Sequence, residues 1–270
     1  MDAHELEERI ASFPRWHYQF QFENGISTPM PDRAMVNRHE QRRRYFFEAL
    51  LRVSGGSLRG HRVLDLGCNA GFWSLLAIEA GADFVLGVDA RQEYVEQAKL
   101  VFEAKGVERA RYRFEHANVF ELDADERFDV VLCLGLLDHV VKPVELFERM
   151  TAAGAELIVI DTEVSRSRSS VFEVERQYDA RHAVDYELVF IPSVQAVIEL
   201  AGEFGLQAVP LAHEISDFAG MDDYRRARRL AFIASKGASL QGLAVGKPSL
   251  APWWTSKLGA RRALARLRGA

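Results

Sequence analysis

Short apolar runs alternate along this chain with longer stretches of helical spacing, beginning near residue 62. Val63 to Leu66 is the first run, with Asp65 inside it, and predicts a strand whose tip enters a site. Phe72 to Ala80 follows with Phe72, Leu75, Leu76 and Ile78 at helical spacing. Phe84 to Val88 predicts a second strand that ends at Asp89, and Glu93 to Ala104 a second helix. Arg111 to His116 predicts a third strand, and Phe128 to Leu134 a fourth. The fourth is almost wholly apolar, as a parallel strand buried on both faces should be. Val144 to Ala152 reads as a helix, and Glu156 to Ile160 as a fifth strand ending at Asp161. Ser193 to Glu203 reads as a helix that Gly205 caps, and Gln207 to Leu211 and Leu230 to Ala234 as the last two strands. This alternation predicts an α/β fold: a doubly wound, Rossmann-like, seven-stranded and mostly parallel sheet with helices on both faces.

Three stretches fall outside the alternation and divide the chain into 1–58, 59–236 and 237–270. In the first, Asp2 to Ser12 reads as a charged helix. Trp16 to Phe22 alternates aromatic and polar residues, like a short strand or a covering segment, and Asn24-Gly25 signals a turn. Arg38 to Val53 reads as one helix whose run Arg42-Arg43-Arg44 forms a solvated face. Within the second unit, the polar insert 162–191 follows the fifth strand, at the sheet edge where substrate specificity is commonly built. From Ser235 onward the tail is basic, with Trp253-Trp254 ahead of an amphipathic pattern. A poorly ordered tail is the favoured reading of it, and a membrane-surface helix the alternative.

Composition narrows the class. The chain has 270 residues, 48% of them hydrophobic and 27% charged, which is ordinary for one globular domain with extensions. A net charge of −5 provides no basic field for nucleic acid. No apolar run approaches the ~18 residues of a membrane span, and the first residues show no signal-peptide pattern, so a cytoplasmic location is expected. Cys68 and Cys133 fall in predicted core elements, and neither they nor the histidines show metal-ligand spacing.

The candidate chemistry gathers at the turn Gly67-Cys68-Asn69-Ala70-Gly71. Gly67 and Gly71 permit torsions and close approach that a side chain would forbid. The helix after the turn aims its first N–H groups at whatever lies above. Asp89 falls roughly 20 residues further on, where a carboxylate in a doubly wound sheet reaches ribose hydroxyls. Asn69 stands where a pyrophosphate-binding turn needs a small residue, and its amide suits a ligand bearing an amino-acid group. The third strand tip adds Asn118, whose amide can bond an adenine amine, and Val119, which can cover the ring. The fourth adds Leu134 and then Asp138-His139.

Val63-Leu64-Asp65-Leu66-Gly67-Cys68-Asn69-Ala70-Gly71 with Asp89 resembles the S-adenosylmethionine site of class I methyltransferases, departing from it at Asn69. The resemblance spans about residues 60 to 236 and implies an antiparallel last strand. It implies S-adenosyl-L-methionine as cofactor, held by Asp65, Gly67, Asn69, Gly71, Asp89, Ala90, Asn118, Val119 and Leu134. It also places Asp138 and His139 near the transferred methyl. For an oxygen nucleophile His139 is the candidate general base, with Asp138 orienting it or taking the proton itself. The competing role for His139 is to cap the strand–helix connection. Trp16, His17, Tyr18, Tyr178 and His182 are the candidate substrate residues, and Asp161 and Glu163 could bind a substrate hydroxyl or amine.

The second half is similar to the bacterial tRNA wobble-uridine carboxymethyltransferases at Gly135 to His139, Phe190 to Ser193 and Arg229 to Ala234. Those enzymes use a carboxylated cofactor. Where they carry a tyrosine and a lysine this chain has Asp138 and Tyr18, while Arg229 matches. An acid in that place repels a carboxylate, so the resemblance implies a relative using the ordinary cofactor. The expectation is methyl transfer to a small-molecule hydroxyl, of a sugar or a secondary metabolite. The alternatives are tRNA modification and a non-catalytic cofactor-binding protein.

Overall fold

The computed structural model describes residues 1–30, 32–122, 125–176, 187–212, 214–241 and 243. Tyr178, His182 and the tail with Trp253-Trp254 lie outside the described residues.

Helices α1 (Ala3–Ala11), α2 (Arg33–Arg42) and α3 (Glu48–Val53) come first. There follow β1 (Arg62–Leu66), α4 (Phe72–Glu79), β2 (Phe84–Asp89), α5 (Gln92–Ala104), β3 (Tyr112–His116), β4 (Val130–Leu134), α6 (Pro143–Ala152) and β5 (Leu157–Glu163). The chain continues through β6 (Phe172–Arg176), β7 (Leu188–Pro192), α7 (Val194–Glu203), β8 (Gln207–Pro210), α8 (Asp222–Arg225) and β9 (Arg229–Ser235). The main sheet has the order β3-β2-β1-β4-β5-β9-β8. Its β3, β2, β1, β4 and β5 pair in parallel, and β9 runs antiparallel to both β5 and β8. The predicted seven-stranded, mostly parallel sheet is therefore the architecture found, with the antiparallel last strand in place.

Two apolar layers cover the sheet. On one face α6 and α7 bury Leu146, Phe147, Met150, Val194 and Val197. On the other, α4 and α5 are joined by Tyr45, Phe46, Phe47 and Leu50 from the leading segment. The leading residues thus form part of the core. At Gly87 in β2, an added Cβ would lie 2.5 Å from the Phe114 ring and 3.0 Å from Cys68 Sγ. Gly87→Ala should therefore cost about 1–3 kcal/mol by overpacking, read from urea denaturation midpoints.

Four local expectations are corrected. Trp16 to Phe22 forms no strand beyond the single bridge between Gln21 and Ser27. Its alternation reflects burial of Trp16, Tyr18, Phe20 and Phe22 on one side. Arg38 to Val53 is not one helix, because a π segment at Arg43–Phe47 separates α2 from α3. That insertion lets the consecutive Tyr45, Phe46 and Phe47 all be buried, which a regular helix would not. Arg42 is buried, so the basic run is not wholly a solvated face. In the insert, β5 runs on to Glu163 and β6 pairs with β7 as an antiparallel hairpin.

Candidate functional site

The site lies at the carboxyl edge of β1, β2, β4 and β5. After β1 the chain passes through Gly67 (φ +71°), Asn69 (φ +50°) and Gly71 (φ +78°) before α4 begins. Asparagine tolerates the left-handed region because its short amide bonds locally, and here Asn69 Oδ1 accepts from Ala70 N at 2.8 Å. Gly67 N and Cys68 N both donate to Val88 O, at 2.8 and 2.9 Å, which holds the turn against β2. Asp89 completes the clasp, accepting from Asn69 N at Oδ2 and from Arg91 N at Oδ1, each at 2.9 Å. Its burial pushes the carboxyl up, while those two amides favour the charged form. A Cβ at Gly71 would meet Ala98, Phe114 and Phe102 at 3.1–3.3 Å, so close packing as well as φ favours glycine there.

Asp65 occupies a different place from the other turn residues. It is 1% exposed and accepts from Ser74 Oγ at 2.6 Å, tying β1 to α4. Burial pushes its carboxyl up to about 7. Asn118 Oδ1 accepts from Phe120 N at 3.1 Å and shapes the loop after β3, where Val119 is buried. His116 Nε2 lies 3.1 Å from Ala90 O, joining that loop to the one after β2. Leu134 ends β4, and the following Gly135 N donates to Asp161 O at 2.7 Å.

Beyond Gly135 a 3-10 turn at Leu137–His139 presents the two residues expected near the chemistry. Asp138 is 2% exposed, accepts from Thr162 Oγ1 at 3.0 Å and lies 3.4 Å from His139 Nε2. Arg229 Nη2 lies 3.5 Å from the same Asp138 oxygen, Oδ2, that His139 approaches. Burial alone would raise the Asp138 carboxyl, but Arg229 and then His139 outweigh it and hold the group below its ordinary value. The same burial lowers the His139 pKa, opposed by Asp138 and assisted by Arg229. His139 is therefore neutral at neutral pH, its side chain 14% exposed, with a charged carboxylate behind it. With Thr162 and Arg229 occupying Asp138, the orienting role fits that carboxylate better than the role of proton acceptor.

A buried ionic network extends from this turn. Asp161 accepts from Tyr224 Oη and Arg42 Nη2, each at 2.7 Å, and from Arg229 Nη1 at 3.3 Å. Arg229 also lies 3.8 Å from Glu163 and 3.3 Å from Asp223. Arg38 grips Asp223 with two bonds of 2.7 and 2.6 Å. Asp161 is thus consumed by protein partners and is no contact for a substrate hydroxyl or amine, while Glu163 stays partly exposed. Arg42, Tyr224, Thr162, Arg38 and Asp223 were missed from the sequence. The one available signal was the i, i+4 pair Arg38 and Arg42, which share a helix face apart from the Glu40-paired Arg43 and Arg44.

The candidate substrate residues separate. Trp16 is a core anchor, its Nε1 donating to Ile10 O at 3.2 Å, so it lines no open space. Tyr18 is also buried, stacked on Phe72 at 4.7 Å, and its hydroxyl accepts from Trp73 Nε1 at 3.1 Å. His17 is exposed and lies edge-on to Tyr18. Residues with helical capacity to cross a membrane are absent among the described ones: no helix there is long and apolar enough.

A parallel sheet with this strand order, an antiparallel strand β9, a glycine turn after β1 and an acid at the tip of β2 are the features that the resemblance to class I S-adenosylmethionine-dependent methyltransferases implies. Residues 57–181 match the family model described as a methyltransferase domain. The chain is 36% identical over 88 residues to the ubiquinone biosynthesis O-methyltransferase of Bordetella avium, covering 33% of this chain and 36% of that protein. It is 24% identical over 173 residues to the tRNA U34 carboxymethyltransferase of Idiomarina loihiensis, covering 63% of this chain and 52% of that one. The chain thus spans about a third to a half of the length of these relatives. Among solved structures, the N-terminal domain of EvdMO1, crystallised with SAH and D-fucose, superposes with a TM-score of 0.67 at 22% identity. That likeness covers 88% of this chain and 98% of the other, and it shows the fold.

Proposed function

We propose that this protein transfers the methyl group of S-adenosyl-L-methionine to a hydroxyl of a small molecule, a sugar or a related secondary metabolite. The observation that carries the reading is a neutral imidazole at His139, backed by the charged Asp138, at the same sheet edge as the Asp89-clasped turn. When bound, the cofactor supplies a methyl group on a sulfonium, a good leaving group.

The chain's part is to hold, align and deprotonate. The turn at Gly67, Asn69 and Gly71 and the backbone after Leu134 face the methionine portion. Asp89, beside Ala90, takes the ribose hydroxyls with the lone pairs its two amides leave over. Asn118 and Val119 take the adenine. Asp65 contributes from below, by fixing the start of α4 through Ser74. His139 accepts the proton of the acceptor hydroxyl as its oxygen attacks, and Asp138 stabilises the imidazolium that results. Alignment of the reactants provides the remainder of the rate. The likeness to an EvdMO1 domain crystallised with D-fucose favours a sugar among small hydroxyl compounds.

Isothermal titration with SAH, followed by methyl-transfer assays on hydroxyl acceptors such as D-fucose and catechols, tests the reading. Absence of cofactor binding at millimolar concentration would sink it. In the same titration Asp89→Ala should weaken SAH roughly 10- to 150-fold, the worth of hydrogen bonds to a charged acceptor. The tRNA relative supports a second reading, wobble-uridine modification. The net charge of −5 weighs against it, and salt-sensitive tRNA binding in a gel-shift assay would favour it.

A further inference from the structure

One buried polar group near the turn has no place in the chemistry above. His39, on α2, is 3% exposed, and its Nε2 is sealed from solvent with no hydrogen-bond partner among the described residues. Its ring is enclosed by Tyr18 at 4.3 Å, His17 at 5.3 Å and Phe72 at 5.7 Å between centroids. Phe72 opens α4 directly after Gly71, so the imidazole stands beside the start of the candidate cofactor turn.

Buried polar atoms almost always find partners, and each exception needs a reason. A phenylalanine would fill this aromatic slot without stranding a nitrogen. The His39 pKa falls to about 2, first through burial and then through His17, Arg42 and Arg38, so the ring carries no charge at any working pH. A neutral imidazole suits a hydroxyl better than a carboxylate or a phosphate, since it donates at one nitrogen and accepts at the other. Aromatic walls with one placed polar atom are how small-molecule sites fix orientation. Ligand access requires a shift in the cover, and the exposed neighbour in this group is His17.

We infer that His39 is an acceptor-binding residue, whose Nε2 hydrogen-bonds a hydroxyl of the small-molecule acceptor beside the stacked Tyr18 and Phe72 rings when the His17 edge of the cover moves aside. This rests on the methyl-transfer reading above.

The test uses the full chain saturated with cofactor, with D-fucose and the other hydroxyl acceptors of the panel as probes. His39→Phe should raise the acceptor KM about tenfold or more, with kcat little changed and the SAH Kd within about twofold of wild type. His39→Gln, which keeps a donor and an acceptor, should recover part of the loss. In the wild-type protein, the His39 Nε2 nitrogen resonance should shift when D-fucose, or whichever panel acceptor is turned over, is added to the SAH complex. That measurement decides the matter if His39→Phe fails to fold. An unchanged KM in His39→Phe, or a resonance that moves with SAH but not with the acceptor, would overturn the inference and leave methyl transfer standing. A wild-type protein that binds SAH yet methylates no panel hydroxyl would remove the acceptor class and this inference together.

Discussion

Replacing His139 by alanine should lower kcat about 100- to 10,000-fold, the usual share of a general base. SAH affinity should stay near the wild-type value, because the cofactor residues other than the backbone after Leu134 lie on other strand tips. His139→Gln should fare little better, since glutamine bonds a hydroxyl but does not take its proton. The pH profile supplies an independent check. The active form is neutral imidazole, and burial holds the pKa below its ordinary 6.5. The acid limb of kcat should therefore fall with a midpoint under that value and stay level from there to neutrality. Steady-state kinetics from pH 5 to 8 read both effects, and a His139→Ala enzyme with wild-type kcat would return His139 to a capping role.

Arg229→Met should destabilise the fold by about 3–5 kcal/mol, the cost of stripping the partner from buried charges. Arg229 stands among Asp138, Asp161, Glu163 and Asp223 at 3.3–3.8 Å. Methionine fills much of its volume but leaves those acids facing one another. The pH dependence should change sign with it. In the wild type the Asp138 pKa is depressed below 3.8. Its contribution to stability is therefore present above that value and lost as the pH falls through the lower, folded one. In the variant, burial acts on Asp138 without Arg229 to oppose it, and the carboxyl rises. The penalty should then shrink as the pH is lowered from 7 toward 4. Urea denaturation of both proteins across that range measures it, and parallel curves would exclude Arg229 as the partner that sets Asp138.

The sheet was legible because its central strands are buried on both faces and so spell continuous apolar runs, as Val130 to Leu134 does. The turn was legible because Gly67, Asn69 and Gly71 each take a positive φ that few residues tolerate. Charge runs were read less well. Arg42, Arg43 and Arg44 look alike in sequence, yet Arg43 and Arg44 pair with Glu40 at the surface while Arg42 enters the core to meet Asp161. Trp16 misled for a related reason: an aromatic segment that covers a site and one that packs beneath it have the same composition.

By itself, the sequence determined the order of strands and helices, the turn after β1 and the acid at the end of β2, because each is written in neighbouring residues. Which polar side chains would meet was decided by the tertiary structure. Strands β4, β5 and β9 lie side by side, so Leu134 stands opposite Asp161, and Glu163 opposite Arg229. Helix α2 then lays Arg42 across them from more than a hundred residues away in the chain. The Asp138–His139 pair takes its protonation from that assembly, because burial and the Arg229 charge exist only once the sheet has closed around them.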